Sequence, residues 1–317
     1  MKFVKLDTKQ RIDPFYFALE EYLLEKDEEY IFIWDVFNSV IIGKNQLLHQ
    51  EVHLDYLKKN NIKVYRRPSG GGAVYNDYGC IKYSFISKRP KSEMYDVFLG
   101  LIKDFLKEYI SVYFSGRNDL LFNEMKFSGN AYYQTKKGHI LHGTILYDTD
   151  LTVLKNALNP SKLKLESKGI KSVKSRVTNL KPYINLSREE FRKALDNYFM
   201  RFETVTLSNK EILEVKKKMA YYNNDEYIYG RNPQYKIEIK ERFPYGEVII
   251  YMDILNEKIA DIEIYGDFFE REPLNVLKNK IIGVSKKDLE KIMNLNPSVY
   301  IEGMSNIDLY NLIRRGF

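Results

Sequence analysis

The stretch Arg66–Asp77 reads RRPSGGGAVYND, and the rest of the chain is best read outward from it. The β-branched run Ile62–Arg67 before it predicts a strand that ends at Pro68. Gly70, Gly71 and Gly72 then remove every Cβ from the turn that follows. Such backbone can take positive φ and bring its N–H groups close to an anion. Arg66 and Arg67 stand just before it, and a guanidinium clamps a carboxylate or phosphate bidentately. A glycine-rich hairpin turn with two solvated arginines fits the same letters. The spacing is neither GxxxxGK(S/T) nor GxGxxG, so it supports neither a Walker loop nor a dinucleotide fingerprint.

Upstream, Asp13 is expected to cap a helix that opens with Pro14 and places Phe15, Leu19, Tyr22 and Leu23 on one face. Tyr30–Val36 and Ser39–Gly43 predict strands, with Asn38-Ser39 as the turn between them. Downstream, Ile81–Ser87 predicts a strand and Ser92 opens a helix to about Tyr109. Further strands are expected at Ser111–Phe114, Leu120–Phe122, Met125–Thr135 and Ile140–Tyr147, the last two joined at Lys136-Lys137-Gly138. Capping boxes at Ser187…Glu190 and Ser208…Glu211 open two more helices. After Gly246 come a hairpin around Asn256-Glu257 and short helices opened by Ser285…Asp288 and Ser305…Asp308. Pro244 and Gly246 suggest a boundary, giving units 1–243 and 246–317. Strands in runs, with helices between and after them, indicate an α+β fold.

The chain has 317 residues, enough for about two domains at roughly 150 residues each. Hydrophobic residues make up 44% and charged residues 29%, which excludes wholesale disorder. The lone cysteine, Cys80, excludes an intramolecular disulfide framework and a cysteine-based zinc cluster, and fits a reducing, cytoplasmic setting. No apolar run reaches the ~20 residues of a membrane helix, and the N-terminus has no signal-like apolar segment. The formal net charge of +7 suits an acidic protein partner or a phosphorylated substrate, and is too weak to argue for nucleic acid.

Two further constellations bear on chemistry. In RNDLLFNEMKFSGNAYY (117–133), Lys126 lies on a predicted strand beside Ser128, Gly129 and Ala131, where its amine can project into a cleft. Asp119, next to Asn118, is a candidate to hold Mg²⁺ or to bond a ligand, with an Asx turn as the plainer alternative. In HILHGTILY (139–147), His142-Gly143-Thr144 interrupts an apolar strand, and glycine there marks close approach of a ligand or of another backbone. A hydrogen-bonded structural His142 and a surface Lys126 are the plainer alternatives.

Taken together and in this order, RRPSGGGAVYND, RNDL (117–120), KFSGNA (126–131), HGTIL (142–146) and KGIKSVKSRVTNL (168–180) resemble lipoate–protein ligase A of the biotin/lipoate ligase superfamily. Trp34, VIIGKNQ (40–46), Tyr229-Gly230 through Pro233, Glu241–Phe243 and YGDFF (265–269) extend the resemblance over nearly the whole chain. It implies a mixed-sheet class II ligase domain with a small α+β accessory domain, the long form of these enzymes. It also implies a two-step reaction: lipoate and ATP, with Mg²⁺, give lipoyl-adenylate and pyrophosphate, and an acceptor lysine then takes the lipoyl group. No tightly bound cofactor is implied. Lys126 would touch both the lipoyl carboxylate and the α-phosphate. Arg67, Gly72, Ala73, Val74 and Tyr75 match nucleotide-contacting positions, and Arg66, Ser69, Gly70 and Gly71 would shape their loop. Asn118, Asp119 and Ser128 are further nucleotide or Mg²⁺ candidates. Trp34, His142 and Gly143 are candidates for the lipoyl side. Lys171, Lys174 and Arg176 lie in the stretch that resembles the mobile adenylate-binding loop. The implied acceptors are lipoyl domains of 2-oxoacid dehydrogenases or glycine-cleavage H protein. Neither nucleic acid nor membrane is expected as a partner, and the chain is expected to be a monomer.

Three alternatives remain at this point. A lipoyl or octanoyl transferase of the same fold works through a cysteine thioester, and Cys80 is the only candidate. A biotin ligase shares the fold but not the wording of the glycine loop. A non-catalytic binding module leaves the glycine–lysine constellation unexplained.

Overall fold

The computed structural model describes residues 1–7, 12–115, 118–159, 177–230 and 235–317. Its centre is a mixed eight-stranded sheet in the order β11-β1-β2-β6-β10-β9-β8-β7. These strands are β1 (Lys2–Val4), β2 (Tyr30–Trp34), β6 (Cys80–Ser87), β7 (Tyr113–Ser115), β8 (Asp119–Phe122), β9 (Met125–Thr135), β10 (Gly138–Leu146) and β11 (Glu203–Val205). β1 runs parallel to β2 and β11, and the remaining neighbours are antiparallel. A three-stranded sheet, β4-β3-β5, stands beside it, built from β3 (Ser39–Ile42), β4 (Lys63–Arg66) and β5 (Val74–Asn76). The glycine loop joins β4 to β5.

Alternation along the central strands separates two cores. Phe32, Trp34, Ile86 and Ile140 face helix α1 (Asp13–Leu24) and the small sheet. Ile31, Ile33, Tyr83, Phe85, Leu141 and Ile145 face the helical segment 91–106 and helix α2 (Arg188–Phe199). Helix α3 (Asn209–Tyr222) packs with α1 on the first face. Both capping boxes form as expected: Ser187 and Ser208 each accept from the backbone of the glutamate three residues on, which returns the bond.

The third sheet, β12-β13-β14, consists of β12 (Ile237–Phe243), β13 (Gly246–Leu255) and β14 (Lys258–Gly266). With helix α4 (Asn306–Arg314) and the 3₁₀ segments near it, this sheet encloses a core of its own. The boundary expected between 243 and 246 needs correction. Pro244 and Tyr245 form the turn of the β12–β13 hairpin, in which Phe243 pairs with Gly246. The third sheet therefore begins at Ile237, and we place the unit boundary before it. Proline and glycine punctuate a tight hairpin as readily as a linker. The hairpin at Asn256-Glu257 is as expected, both residues having positive φ. β2 and β3 do not form a hairpin: they belong to different sheets, and Asn38 turns the chain between them at φ 46°.

Candidate active site

A cavity of about 190 Å³ opens where the first core meets the glycine loop and the third sheet. Strand register builds its floor. Trp34 on β2 is opposite Lys82 on β6, and Lys82 is opposite Thr144 on β10. The Gly129 N–H on β9 reaches Thr144 Oγ1 at 3.4 Å, which continues the row. One step along lies a second row, Phe32, Ser84, His142 and Ala131.

A bulge brings Lys126 to this face. Lys126 is opposite Leu121 and Ser128 opposite Leu120, so Phe127 is an extra residue in β9. Strict alternation would put Lys126 and Ser128 on one face. Instead Ser128 faces the other core, where its hydroxyl meets Tyr83 Oη at 3.1 Å. Lys126 Nζ lies over Gly129, 2.8 Å from where a Cβ would sit, and pairs with Asp119 Oδ1 at 2.6 Å. An alanine at 129 would displace the amine.

The glycine loop forms the opposite wall. Gly71 has φ 91°. Arg67 is 6% exposed and points back along its own loop, donating to the Gly70 carbonyl at 2.6 Å and the Gly72 carbonyl at 2.8 Å. Burial lowers its pKa to about 10, so the guanidinium remains charged at neutral pH. Arg66 is fully buried and donates to the carbonyls of Gly43, Lys44, Gln46, Tyr227 and Ile228. The expectation of two solvated arginines is corrected: each satisfies backbone carbonyls, and Arg66 lies away from the cavity. Gly70 is needed for a different reason than an anion, because a Cβ there would sit 2.3 Å from the Phe268 carbonyl of the third sheet's unit.

A buried polar chain runs beneath the loop. Arg67 Nε donates to Ser69 Oγ at 3.0 Å, and Ser69 Oγ meets His142 Nε2 at 2.7 Å. His142 Nδ1 meets Glu20 Oε1 at 2.9 Å, Ser84 donates to the same oxygen at 2.5 Å, and Trp34 Nε1 donates to Ser84 at 2.9 Å. A carboxylate only accepts, so His142 donates to Glu20 from Nδ1. This chain fixes the ring of His142 at the cavity wall.

Of the expected residues, Arg67, Gly71, Gly72, Ala73, Val74, Asn118, Asp119, Lys126, Trp34, His142 and Gly143 line the cavity. Arg66, Ser69, Gly70, Tyr75 and Ser128 do not. Tyr75 is buried in the first core, with its hydroxyl 3.5 Å from Asn38 Oδ1. Arg117, Lys171, Lys174, Arg176 and Pro233 lie outside the described residues. Sequence reasoning missed Glu20, Lys82, Arg242 and Asp267, and gave Asp13 to a helix cap. Asp13 instead turns inward, 1% exposed and 3.8 Å from Lys82 Nζ, and the helix starts without a side-chain cap. Lys82 carried the same signal as Lys126, a lysine inside an apolar strand.

Cys80 is fully buried beside Asn76 and absent from the cavity wall, and desolvation pushes its thiol up to about 12. Thioester chemistry needs an accessible thiolate, so the transferase alternative loses its nucleophile. Among the described residues, no three His, Cys, Asp or Glu side chains gather into a metal site. Asp119 and Asp267 are the carboxylates in the cavity wall, paired with Lys126 and Arg242 respectively. Mg²⁺ bound mainly through substrate phosphates needs only one or two protein carboxylates, a demand this wall meets.

The glycine loop thus faces a strand lysine across a cavity lined by charged, polar and apolar side chains. Residues 14–200 match the lipoyl protein ligase A/B catalytic domain, and residues 232–313 match the bacterial lipoate protein ligase C-terminus. The lipoate–protein ligase 1 of Staphylococcus aureus is 36% identical over 93% of this chain and 90% of its own length. The probable lipoate-protein ligase A of Mycoplasma pneumoniae is 35% identical over 89% and 88%. P. falciparum LipL1, solved in complex with lipoate, superposes over 99% of this chain and 98% of its own at TM-score 0.80 and 24% identity. The bipartite lipoate protein ligase of Thermoplasma acidophilum, studied with its E2 lipoyl domain, covers 74% of this chain and 98% of its own at TM-score 0.63 and 26% identity. A lipoate-protein ligase A bound with ATP covers 72% and 98% at TM-score 0.61 and 24% identity. The chain belongs to the lipoate–protein ligase family and is a ligase. Among the described residues, no helix is long and apolar enough to cross a membrane.

Proposed function

We propose that the enzyme activates free lipoate with ATP, forming lipoyl-AMP and pyrophosphate, and then passes the lipoyl group to a lysine of an acceptor lipoyl domain or H protein. The observation that carries this reading is the position of Lys126, whose amine lies over Gly129 in the cavity wall opposite the glycine loop. A carboxylate and a triphosphate repel each other, and one ammonium between them offsets both charges. On this reading Lys126 leaves Asp119 when substrates enter, and Asp119 becomes free to assist Mg²⁺ on the phosphates. The backbone of Gly72–Val74 faces the nucleotide, with Arg67 bracing the loop and the Gly71 N–H given to the Phe268 carbonyl. The apolar wall of Phe17, Trp34 and Ile41 receives the lipoyl chain. Carboxylate oxygen attacks the α-phosphorus and pyrophosphate leaves. The acceptor amine then attacks the acyl carbon, AMP leaves with the bonding pair, and the amine loses a proton. One chain holds both units, so a monomer suffices, and the use of ATP fits a cytoplasmic reaction.

Lys126→Ala should stop lipoyl-AMP formation, measured by mass spectrometry with lipoate and ATP, while the circular dichroism spectrum stays that of the wild type. Lipoyl-AMP made by the variant at near the wild-type rate would remove Lys126 from this role.

A further inference from the structure

Lys82 is a buried lysine on the floor of the cavity, between Trp34 and Thr144 in its row. It is 2% exposed and fully enclosed within β6. Its charged partner, Asp13, is 3.8 Å away, beyond hydrogen-bond distance, and the face of Trp34 lies 5.0 Å from its nitrogen. Its Nζ is buried and makes no hydrogen bond among the described atoms, and the residue lines the cavity. A lysine has three donors, and leaving them unmade in a low-dielectric site is unfavourable. Burial lowers the pKa of Lys82 and raises that of Asp13. Each shift is the signature of a charge removed from water.

The register places the Lys82 position two strands from Gly129, over which the Lys126 amine lies. Lys82, Thr144 and Gly129 sit side by side on three neighbouring strands, and Lys126 Nζ lies over Gly129. Two strand spacings of ~4.8 Å separate Lys82 from Gly129, about 10 Å in all. An eight-carbon acyl chain has seven C–C bonds and spans on the order of 8–9 Å when extended, so one held at Lys126 by its carboxylate carries its far end toward the row of Lys82 and Trp34.

We infer that Lys82, held by Asp13, is a specificity-determining residue that reads the far end of the acyl substrate and favours tails carrying an acceptor or polarisable atom there, such as the dithiolane sulfurs, over a plain saturated chain. This inference rests on the lipoate-activating function proposed above. A plain hydrocarbon tail covers the amine and offers its N–H donors nothing. Sulfur accepts weakly, and a hydroxyl accepts well.

The test compares lipoate, octanoate and 8-hydroxyoctanoate as substrates for acyl-AMP formation by the full-length enzyme. Wild-type kcat/KM should be higher for lipoate and for 8-hydroxyoctanoate than for octanoate. An all-apolar pocket gives the opposite order for the hydroxylated acid, and that order overturns the inference. The Asp13→Asn/Lys82→Met double variant, which removes the charge while keeping chain length, should shrink the lipoate-to-octanoate ratio about tenfold. A purely structural Lys82 would lower both substrates alike and leave the ratio unchanged. Wild-type enzyme that activates none of the three acids refutes the proposed function itself, an outcome distinct from a ratio that fails to move.

Discussion

At the residue scale, the two adjacent arginines show how far side-chain chemistry alone can be read. RRPSGGG suggested two anion clamps, yet Arg66 spends its donors on five backbone carbonyls of its own chain. Leaving such acceptors unpaired costs about 1–3 kcal/mol each, so Arg66 holds together the loops around the site without lining it. Its partners lie 20 to 23 and 161 to 162 residues away in sequence, which no local pattern reveals. Cys80 was more legible: a thiol opening an apolar strand reads as core, and it is core. With its pKa raised to about 12, it remains protonated at pH 7.5. Cys80→Ser should therefore keep kcat for lipoylation within about twofold while losing ~1–3 kcal/mol of stability, read from urea unfolding. Loss of acyl transfer with an intact fold would reinstate a thioester route.

At the element scale, β9 and the glycine loop decide the geometry. The bounds of β9 are as predicted, but its faces are not, because one extra residue at Phe127 re-aims Lys126. Period-two alternation cannot foresee a bulge, and Ser128, a candidate through the family resemblance, faces the other core. The helix starts at Ser187 and Ser208 were legible because capping boxes are local chemistry. The hairpin at Phe243–Gly246 reads as a boundary in sequence because Pro244 and Gly246 punctuate a tight turn as they would a linker, although Ile237-Glu238-Ile239-Lys240 alternates as a strand does. The close approach of the Phe268 carbonyl to Gly70 joins two elements nearly 200 residues apart in a contact that tolerates no side chain. Gly70→Ala should push the third-sheet unit off the loop. Lipoyl-AMP formation should then fall by ~10-fold, about 1.4 kcal/mol in the barrier, while transfer from added lipoyl-AMP to an acceptor stays near wild type. Equal losses in both steps would mean that the contact serves folding only.

At the scale of the whole molecule, the third-sheet unit closes one side of the cavity. Arg242 and Asp267 stand in its wall, paired at 2.8 Å. Lys44 and Asn45 both reach Glu270 at 2.7 Å, the Gly266 N–H donates to the Asn45 carbonyl at 2.8 Å, and Lys91 pairs with Glu302. Leu47 packs against Ile249, Tyr251 and Tyr265. This interface joins ion pairs and hydrogen bonds to a small apolar cluster, and on the two-step function proposed above its opening gives the acceptor access. The net charge of +7 favours an acidic acceptor. The acceptor KM should accordingly rise several-fold between 50 and 300 mM salt, with kcat little changed; a KM indifferent to salt would argue against electrostatic docking. The central claim is that acyl activation precedes and does not require the acceptor. Lipoate-dependent exchange of labelled pyrophosphate into ATP, run with no acceptor present, tests it most directly. Exchange by the wild type that is lost in Lys126→Ala is the predicted result. A folded wild-type enzyme that exchanges nothing without acceptor, yet lipoylates when acceptor is added, would contradict it.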